Sequence, residues 1–330
     1  MKMEEQMIAC LVNESKSLYW GSWTKPKCTS GELLIRVEAT ALNRADLLQK
    51  RGLYAPPKGA SPIIGLEMAG VVEEVGSSVE GWEVGDRICA LLPGGGYAQY
   101  VTIPAELAIR ISDKLTFVEA AAIPEVFLTA YLNMFELGRL KAGEHVLIHA
   151  AASGVGTAAV QLAKAAGAFV IATVGTDEKA DAVERLDADV VINYRNQSFE
   201  DAVMEYTNGK GVDMIMDPIG ASYWKSNMEA LAMDGRLILF GVLGGSKVEK
   251  VDLLPAMMRR IHIITSTLRG LPIERKAALT ASFVDWAMPL IENGEMEPII
   301  DSVWEADEIN EAHARMERNE NIGKMVVLVP

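Results

Sequence analysis

The sequence predicts an α/β chain in which a doubly wound parallel sheet of six strands is inserted into a β-barrel domain. Three observations predict it. A strand, a turn of small residues and a helix follow one another at 145–167; five more β-prone runs alternate with helical segments after it; and short β-prone segments crowd the chain before it and resume near the C-terminus.

The run HVLIHAAASGVGTAAVQLAKAAG opens on Val146, Leu147 and Ile148, a short apolar strand. Ala151 to Gly156 then carry no bulky side chain, so a dinucleotide pyrophosphate can approach the backbone and be stabilised by helix N–H groups and the helix dipole. Of the usual G-x-G-x-x-G fingerprint only the last glycine, Gly156, is kept, with Ala151 and Ser153 at the other two places. The Ser153 hydroxyl suits either a pyrophosphate bond or the helix N-cap. Val160, Leu162, Ala163 and Ala166 form the packed face, Gln161 and Lys164 are expected to project, and Gly167 ends the helix. FVIATVG (169–175), DVVINY (189–194), VDMIMDPIG (212–220), RLILFGVLGG (236–245) and IHIITSTLR (261–269) supply the other five strands.

From Met7 to Ile111 the segments MIACLV, SLYWGSW, ELLIRVEATALN, MAGVVEEVG, GDRICALL and YAQYVTIP read as a compact all-β barrel. Thr116 to Glu119 form a capping box, Pro124 interrupts the helix it opens, and a second helical stretch runs toward Leu137. After the Gly270–Pro272 turn come a helix over about 274–292, the strand PIIDSVW, an acidic helix at 305–319 and MVVLV. These do not continue the alternation, so the chain is expected to return to its first domain. The expected division is 1–125 with 268–330, and 126–267.

Half the residues are hydrophobic, which excludes a disordered chain. The 45 acidic against 31 basic residues give a net charge of −14 with no polybasic block, which argues against nucleic acid and anionic membranes as partners. Cys10, Cys28 and Cys89 have neither disulfide nor zinc-ribbon spacing. With MKMEEQ lacking the plan of a signal peptide and no apolar run of spanning length, a cytoplasmic protein is expected.

NAD-preferring folds close the second strand with a carboxylate that holds the ribose 2′-hydroxyl. Here the strand ends Val174-Gly175-Thr176, and Thr176 and Lys179 offer a hydroxyl and a cation to a 2′-phosphate, so NADPH is the expected cofactor. Asp177 and Glu178 sit beside them and count the other way.

The segments ALNRADLLQKRGLYAPP, GLEMAGVVEEVG, GDRICALLPGGGYAQY, AAAIPE, the central run and NIGKMVVLV resemble the zinc-independent quinone oxidoreductases of the medium-chain dehydrogenase/reductase superfamily. The resemblance is to the zeta-crystallin-like branch and, within it, to the stress-inducible animal quinone oxidoreductases under tumour-suppressor control. It implies a Rossmann domain inserted in a GroES-like barrel. The zinc alcohol dehydrogenases of this superfamily have a Cys where this chain has Asn43 and a His where it has Leu66, directly before Glu67. No Cys or His lies between Cys89 and His145 to serve as a third ligand, so no metal is expected. Without a Lewis acid, acceptors that are already electrophilic are expected: quinones, ortho-quinones among them, or conjugated enones.

The resemblance further implies a site in which Asn43 and Tyr54 line the substrate cleft and Ser153, Gly154, Val155 and Gly156 hold the pyrophosphate. Thr176, Lys179 and Tyr194 would bind the 2′-phosphate. Phe240, Gly241, Leu243, Gly244 and Leu268 would flank the nicotinamide, and Asn321 and Lys324 would reach in from the C-terminal segment. A homodimer paired through the last strand of the parallel sheet is also implied. Blander readings stand beside these. Asn43 also fits a strand-end residue serving local backbone, and His149 fits a structural hydrogen-bonded histidine better than a catalytic one. Glu67, with Arg44 and Asp46 near it in sequence, fits a structural ion pair. Two other functions compete with quinone reduction: NADPH-dependent reduction of α,β-unsaturated carbonyls, and a non-enzymatic NADPH- and RNA-binding role, which the −14 charge disfavours.

Overall fold

A computed structural model describes residues 5–330; residues 1–4, with which the MKMEEQ segment begins, lie outside the described residues. The chain forms two compact units, one of Thr129–Leu268 and one of Met1–Leu128 with Arg269–Pro330. It passes from the first to the second within the helix Pro124–Tyr131, which runs on into a π-helical turn at Leu132–Leu137.

The unit Thr129–Leu268 carries a six-stranded, all-parallel sheet. In chain order its strands are His145–Ile148, Phe169–Val174, Val190–Asn193, Val212–Asp217, Leu231–Leu239 and His262–Thr265; across the sheet they lie third, second, first, fourth, fifth, sixth. This is the Rossmann arrangement, with the order reversing beside His145–Ile148, where dinucleotides bind in such sheets. Leu147, Ile171, Ile192, Ile215 and Leu237 are fully buried, as strands covered on both faces require.

Three details differ from the sequence reading. Gln161 does not project: it is buried, and its Nε2 donates to Thr157 O at 3.1 Å within the helix. The fifth strand begins at Leu231 rather than Arg236, because a register shift with Asp234 at φ +59° carries the chain through a polar kink. The sixth strand is only four residues long, His262–Thr265, and does not run on to Arg269.

The other unit holds a seven-stranded sheet in which Glu32–Ala41 pairs antiparallel with Glu67–Val75, Tyr100–Pro104 and Lys324–Leu328. The returning C-terminal strand is thereby built into the first half of the chain, and Ile300–Trp304 adds parallel to its outer side. Leu33, Ile35, Met68, Ile88 and Ile103 fill the GroES-like barrel. Gln6–Val12 and Leu18–Thr24 form a separate antiparallel ladder rather than barrel strands, tied by a single bridge from Ala9 to Ala98. The stretch is not all-β either: Arg44–Lys50 is helical. The Thr116 capping box is present, with Glu119 N donating to Thr116 Oγ1 at 3.2 Å and Thr116 N to Glu119 Oε2 at 2.7 Å. The helix expected over 274–292 is two helices, Ile273–Trp286 and Met288–Glu292, divided before Pro289, which cannot donate into the preceding turn.

Candidate functional site

In the parallel-sheet unit, the first strand leads into a tightly bonded turn. Ala150 adopts φ +52°, Ala151 N donates to Thr173 O at 3.0 Å and Ser153 N to Ala150 O at 2.9 Å. The helix Gly154–Ala165 starts from Ser153, whose Oγ accepts from Gly156 N at 3.1 Å. The cap leaves the hydroxyl proton free to be donated outward, so capping and anion binding are compatible. A Cβ on Gly156 would lie 2.3 Å from Ala150 O and 2.6 Å from Ala151 C, so only glycine lets the helix start rest on the turn. The N–H groups of Gly154 and Val155 belong to a first helical turn that has no intrahelical acceptors. A pyrophosphate fits this cradle.

At the end of the second strand, a Cβ on Gly175 would lie 2.6 Å from the Tyr194 hydroxyl oxygen. A carboxylate side chain there would displace the tyrosine. Thr176 caps the next helix, its Oγ1 accepting from Lys179 N at 3.2 Å, while the Asp177 carboxylate is taken by Asn193 Nδ2 at 2.6 Å. Thr176 and Tyr194 are exposed and Lys179 half-buried, and the Tyr194 phenol stands against Gly175 with Thr176 next to it in the chain. Arg195, exposed, directly after Tyr194 and two places beyond the third strand, is a basic residue that the sequence reading did not name; its backbone N–H donates to Asn193 Oδ1 at 3.1 Å. Phe240 N donates to Asp217 O at 3.1 Å and Leu243 N to Pro218 O at 3.0 Å, which ties the segment Phe240, Gly241, Leu243 and Gly244 to the end of the fourth strand. Leu243 is exposed and Leu268 buried.

His149 is structural. Its ring is fully buried, with Nδ1 2.9 Å from Thr173 Oγ1 and Nε2 2.8 Å from Asn227 Oδ1, and burial lowers its pKa to about 4.

In the barrel unit a buried polar network gathers Asn43, Glu67 and Lys324. Lys324 Nζ lies 2.6 Å from Glu67 Oε1, 2.6 Å from Leu42 O and 2.8 Å from Asn43 Oδ1, which occupies its three donors. Asn43 Nδ2 donates to Glu67 Oε1 at 2.8 Å and to Ala41 O at 3.2 Å. Both side chains are engaged by partners inside this unit, because a charge and an amide this deeply buried must be bonded. The partner of Glu67 is Lys324, not Arg44, which bonds Asn319 Oδ1. Asp46 Oδ2 accepts from Asn43 N at 2.7 Å and from the Tyr97 hydroxyl at 3.0 Å. Burial pushes Asp46 up to about 7. Asn321 is half-buried, its Nδ2 donating to Gly323 O at 2.8 Å.

Tyr54 is partly buried, with its ring centroid 5.0 Å from the Arg269 guanidinium carbon. Arg269 is itself buried, donating to Pro93 O at 2.9 Å and Gln49 Oε1 at 2.7 Å and accepting from Lys276 Nζ at 2.8 Å through its carbonyl. Glu125, which the sequence reading quoted only within AAAIPE, heads the helix Pro124–Tyr131, and its backbone N–H donates to Glu67 Oε2 at 2.8 Å. A glutamate following a proline in an apolar stretch was the signal that could have marked it.

A parallel sheet with a small-residue cradle at its order reversal, in a chain that also folds a GroES-like barrel, defines a nicotinamide-dinucleotide-dependent oxidoreductase. Comparison with known proteins agrees. Residues 29–113 match the alcohol dehydrogenase GroES-like domain family and residues 154–284 the zinc-binding dehydrogenase family. The human synaptic vesicle membrane protein VAT-1 homolog is 32% identical over 315 residues, spanning 91% of this chain and 79% of that protein. The crystal structure of a quinone oxidoreductase from Pseudomonas syringae pv. Tomato DC3000 superposes with a TM-score of 0.86 at 27% identity, covering 99% and 100% of the two chains. The CurK enoyl reductase superposes at 0.88 with 28% identity and the same coverage. The chain belongs to the medium-chain dehydrogenase/reductase superfamily, among its quinone oxidoreductase-like members.

Proposed function

We propose that this protein is an NADPH:quinone oxidoreductase that works without zinc and takes ortho-quinones among its acceptors. One observation carries the zinc-free reading: the ammonium of Lys324 is held between Glu67, Asn43 and Leu42 O at the place where zinc relatives put ligands. A buried cation there opposes a divalent metal, and neither the Asn43 amide nor Leu66 supplies a thiolate or imidazole, so zinc does not fit these residues. NADPH over NADH is supported by Gly175, where Tyr194 leaves no room for a carboxylate, and by the Thr176 hydroxyl and the Lys179 cation in the helix start that follows it. Bound NADPH supplies a hydride; Ser153 to Gly156 fix its pyrophosphate, and Tyr54 over Arg269 presents a phenol that can orient an acceptor oxygen.

A second reading, reduction of α,β-unsaturated carbonyls, is favoured by the likeness to the CurK enoyl reductase. NADPH oxidation with 9,10-phenanthrenequinone and with 2-nonenal in parallel, each repeated with NADH, tests both. A higher kcat/KM for the quinone with NADPH supports the first reading, and a preference for NADH refutes the cofactor assignment. Tyr54→Phe is expected to lower quinone kcat by less than about tenfold, since a hydroquinone anion takes its proton from water. A loss of several orders of magnitude would make the phenol obligatory.

The partner is a second copy of the chain, joined at the edge strand His262–Thr265. Exposed Ile263, Leu253, Leu254, Met257 and Met258 support this, because monomers rarely leave so much neighbouring apolar surface uncovered. Sedimentation equilibrium is expected to return twice the chain mass, and Ile263→Lys to shift it toward the monomer. Nucleic acid is not a partner; an electrophoretic shift of AU-rich RNA would contradict this. The cytoplasm is the proposed location, supported by three free cysteines, and no helix among the described residues is long and apolar enough to cross a membrane.

A further inference from the structure

Reduction of a conjugated enone ends in an enolate that must gain a proton, so the enzyme needs a group that holds a proton at neutral pH. The phenol of Tyr54 is the obvious donor in this unit, but the chain holds a second one. Glu125 Oε2 is buried and has no hydrogen-bond partner among the described residues, although the adjoining backbone N–H is bonded to Glu67. Arg269, which acts electrostatically on the Glu125 carboxyl, carries at Nη1 a buried donor that is also unpartnered among the described residues. An acid and a cationic donor left unspent beside one tyrosine are costly to a fold and suit a ligand that accepts from both.

We propose that the Glu125 carboxyl donates the proton that completes enone reduction, with Arg269 holding the oxygen on which negative charge develops. This rests on the second reading of the preceding section, the reduction of α,β-unsaturated carbonyls. The hydride adds to the β-carbon as NADPH becomes NADP⁺, and the carbon–carbon π pair shifts to form the enolate. The Glu125 O–H bond then breaks as its proton joins the α-carbon, and the carboxylate left behind regains a proton from water.

The electrostatics favour this assignment. Burial above all, then the Glu67 carboxylate and more weakly Asp46, raise Glu125 to about 8, while Lys324 and Arg269 oppose the shift. Lys276 and Tyr54 face the same carboxyl and complete the set of charged and titratable groups around it. Glu125 is therefore protonated at pH 7, when Glu67 is already paired with Lys324. Burial raises Tyr54 further above the ordinary phenol range, which makes it the poorer acid.

The test is the pH dependence of kcat for 2-nonenal with the full-length enzyme, together with Glu125→Gln and Glu125→Asp. For wild type, kcat is expected to be level at neutral pH and to fall about tenfold per unit once the pH exceeds about 8, as loss of a required proton demands. Glu125→Gln is expected to lower kcat by about 100-fold and abolish that fall while NADPH affinity, read by fluorescence titration, stays within about twofold; Glu125→Asp recovers part of the rate and restores the fall. A wild-type profile that stays level to about pH 9.5, or a Glu125→Gln enzyme that binds NADPH and keeps a rate within about threefold of wild type, overturns the proposal while leaving the enone reading intact. The wild-type profile decides even where the glutamine variant does not fold. Wild-type enzyme that does not oxidise NADPH with 2-nonenal overturns the enone reading itself, and the proposal with it, whatever its rate with 9,10-phenanthrenequinone.

Discussion

Lys324→Met is expected to destabilise the protein by about 3–5 kcal/mol, the cost of leaving a buried carboxylate without its cation. Glu67 is completely buried and faces Lys324 at 2.6 Å, and Lys324 also closes the carbonyl of Leu42 and the amide of Asn43. One substitution therefore strips three acceptors. Urea unfolding followed by circular dichroism measures the loss, and Glu67→Gln in the Lys324→Met background is expected to recover part of it by removing the orphaned charge. A Lys324→Met midpoint equal to wild type would show that the Glu67 charge is satisfied elsewhere.

Gly156→Val is expected to weaken NADPH binding by about 100-fold, equivalent to about 3 kcal/mol of binding free energy, and to lower stability by about 1–3 kcal/mol. A side chain at this point meets backbone rather than flexible atoms, since Ala150 O would lie 2.3 Å and Ala151 Cα 2.6 Å from its Cβ. The start of the Gly154–Ala165 helix must then lift off the turn, taking with it the free N–H groups proposed to hold the pyrophosphate. Fluorescence titration with NADPH measures the first effect and urea unfolding the second. Intact affinity would mean that the dinucleotide does not rest on this turn.

The parallel sheet was legible because its strands are continuous apolar runs broken by Gly, Pro and polar turns, and the helix after Ser153 announces itself by a cap and a closing Gly167. The barrel was read less well. ALNRADLL offers too few residues to separate a seven-residue helix from a strand, and the pairing of Gln6–Val12 with Leu18–Thr24 apart from the main sheet depends on tertiary contacts. The polar site was the hardest to see. Lys324 and Asn43 are 281 positions apart in the chain, and only the return of the C-terminal strand to Glu32–Ala41 brings the ammonium to the amide. Sequence could flag each as polar among apolar neighbours; it carried no sign that they would satisfy each other. Glu125 shows the same limit, since its unbonded carboxyl oxygen is a property of packing and not of the motif around it.

Catalysis without a metal is tested most directly by measuring NADPH oxidation with 9,10-phenanthrenequinone after exhaustive dialysis against 1,10-phenanthroline and EDTA. The ammonium held by Glu67 and Asn43 predicts turnover equal to that of untreated enzyme, with no gain when Zn²⁺ is added back. Activity lost on chelation and restored by Zn²⁺ would contradict it.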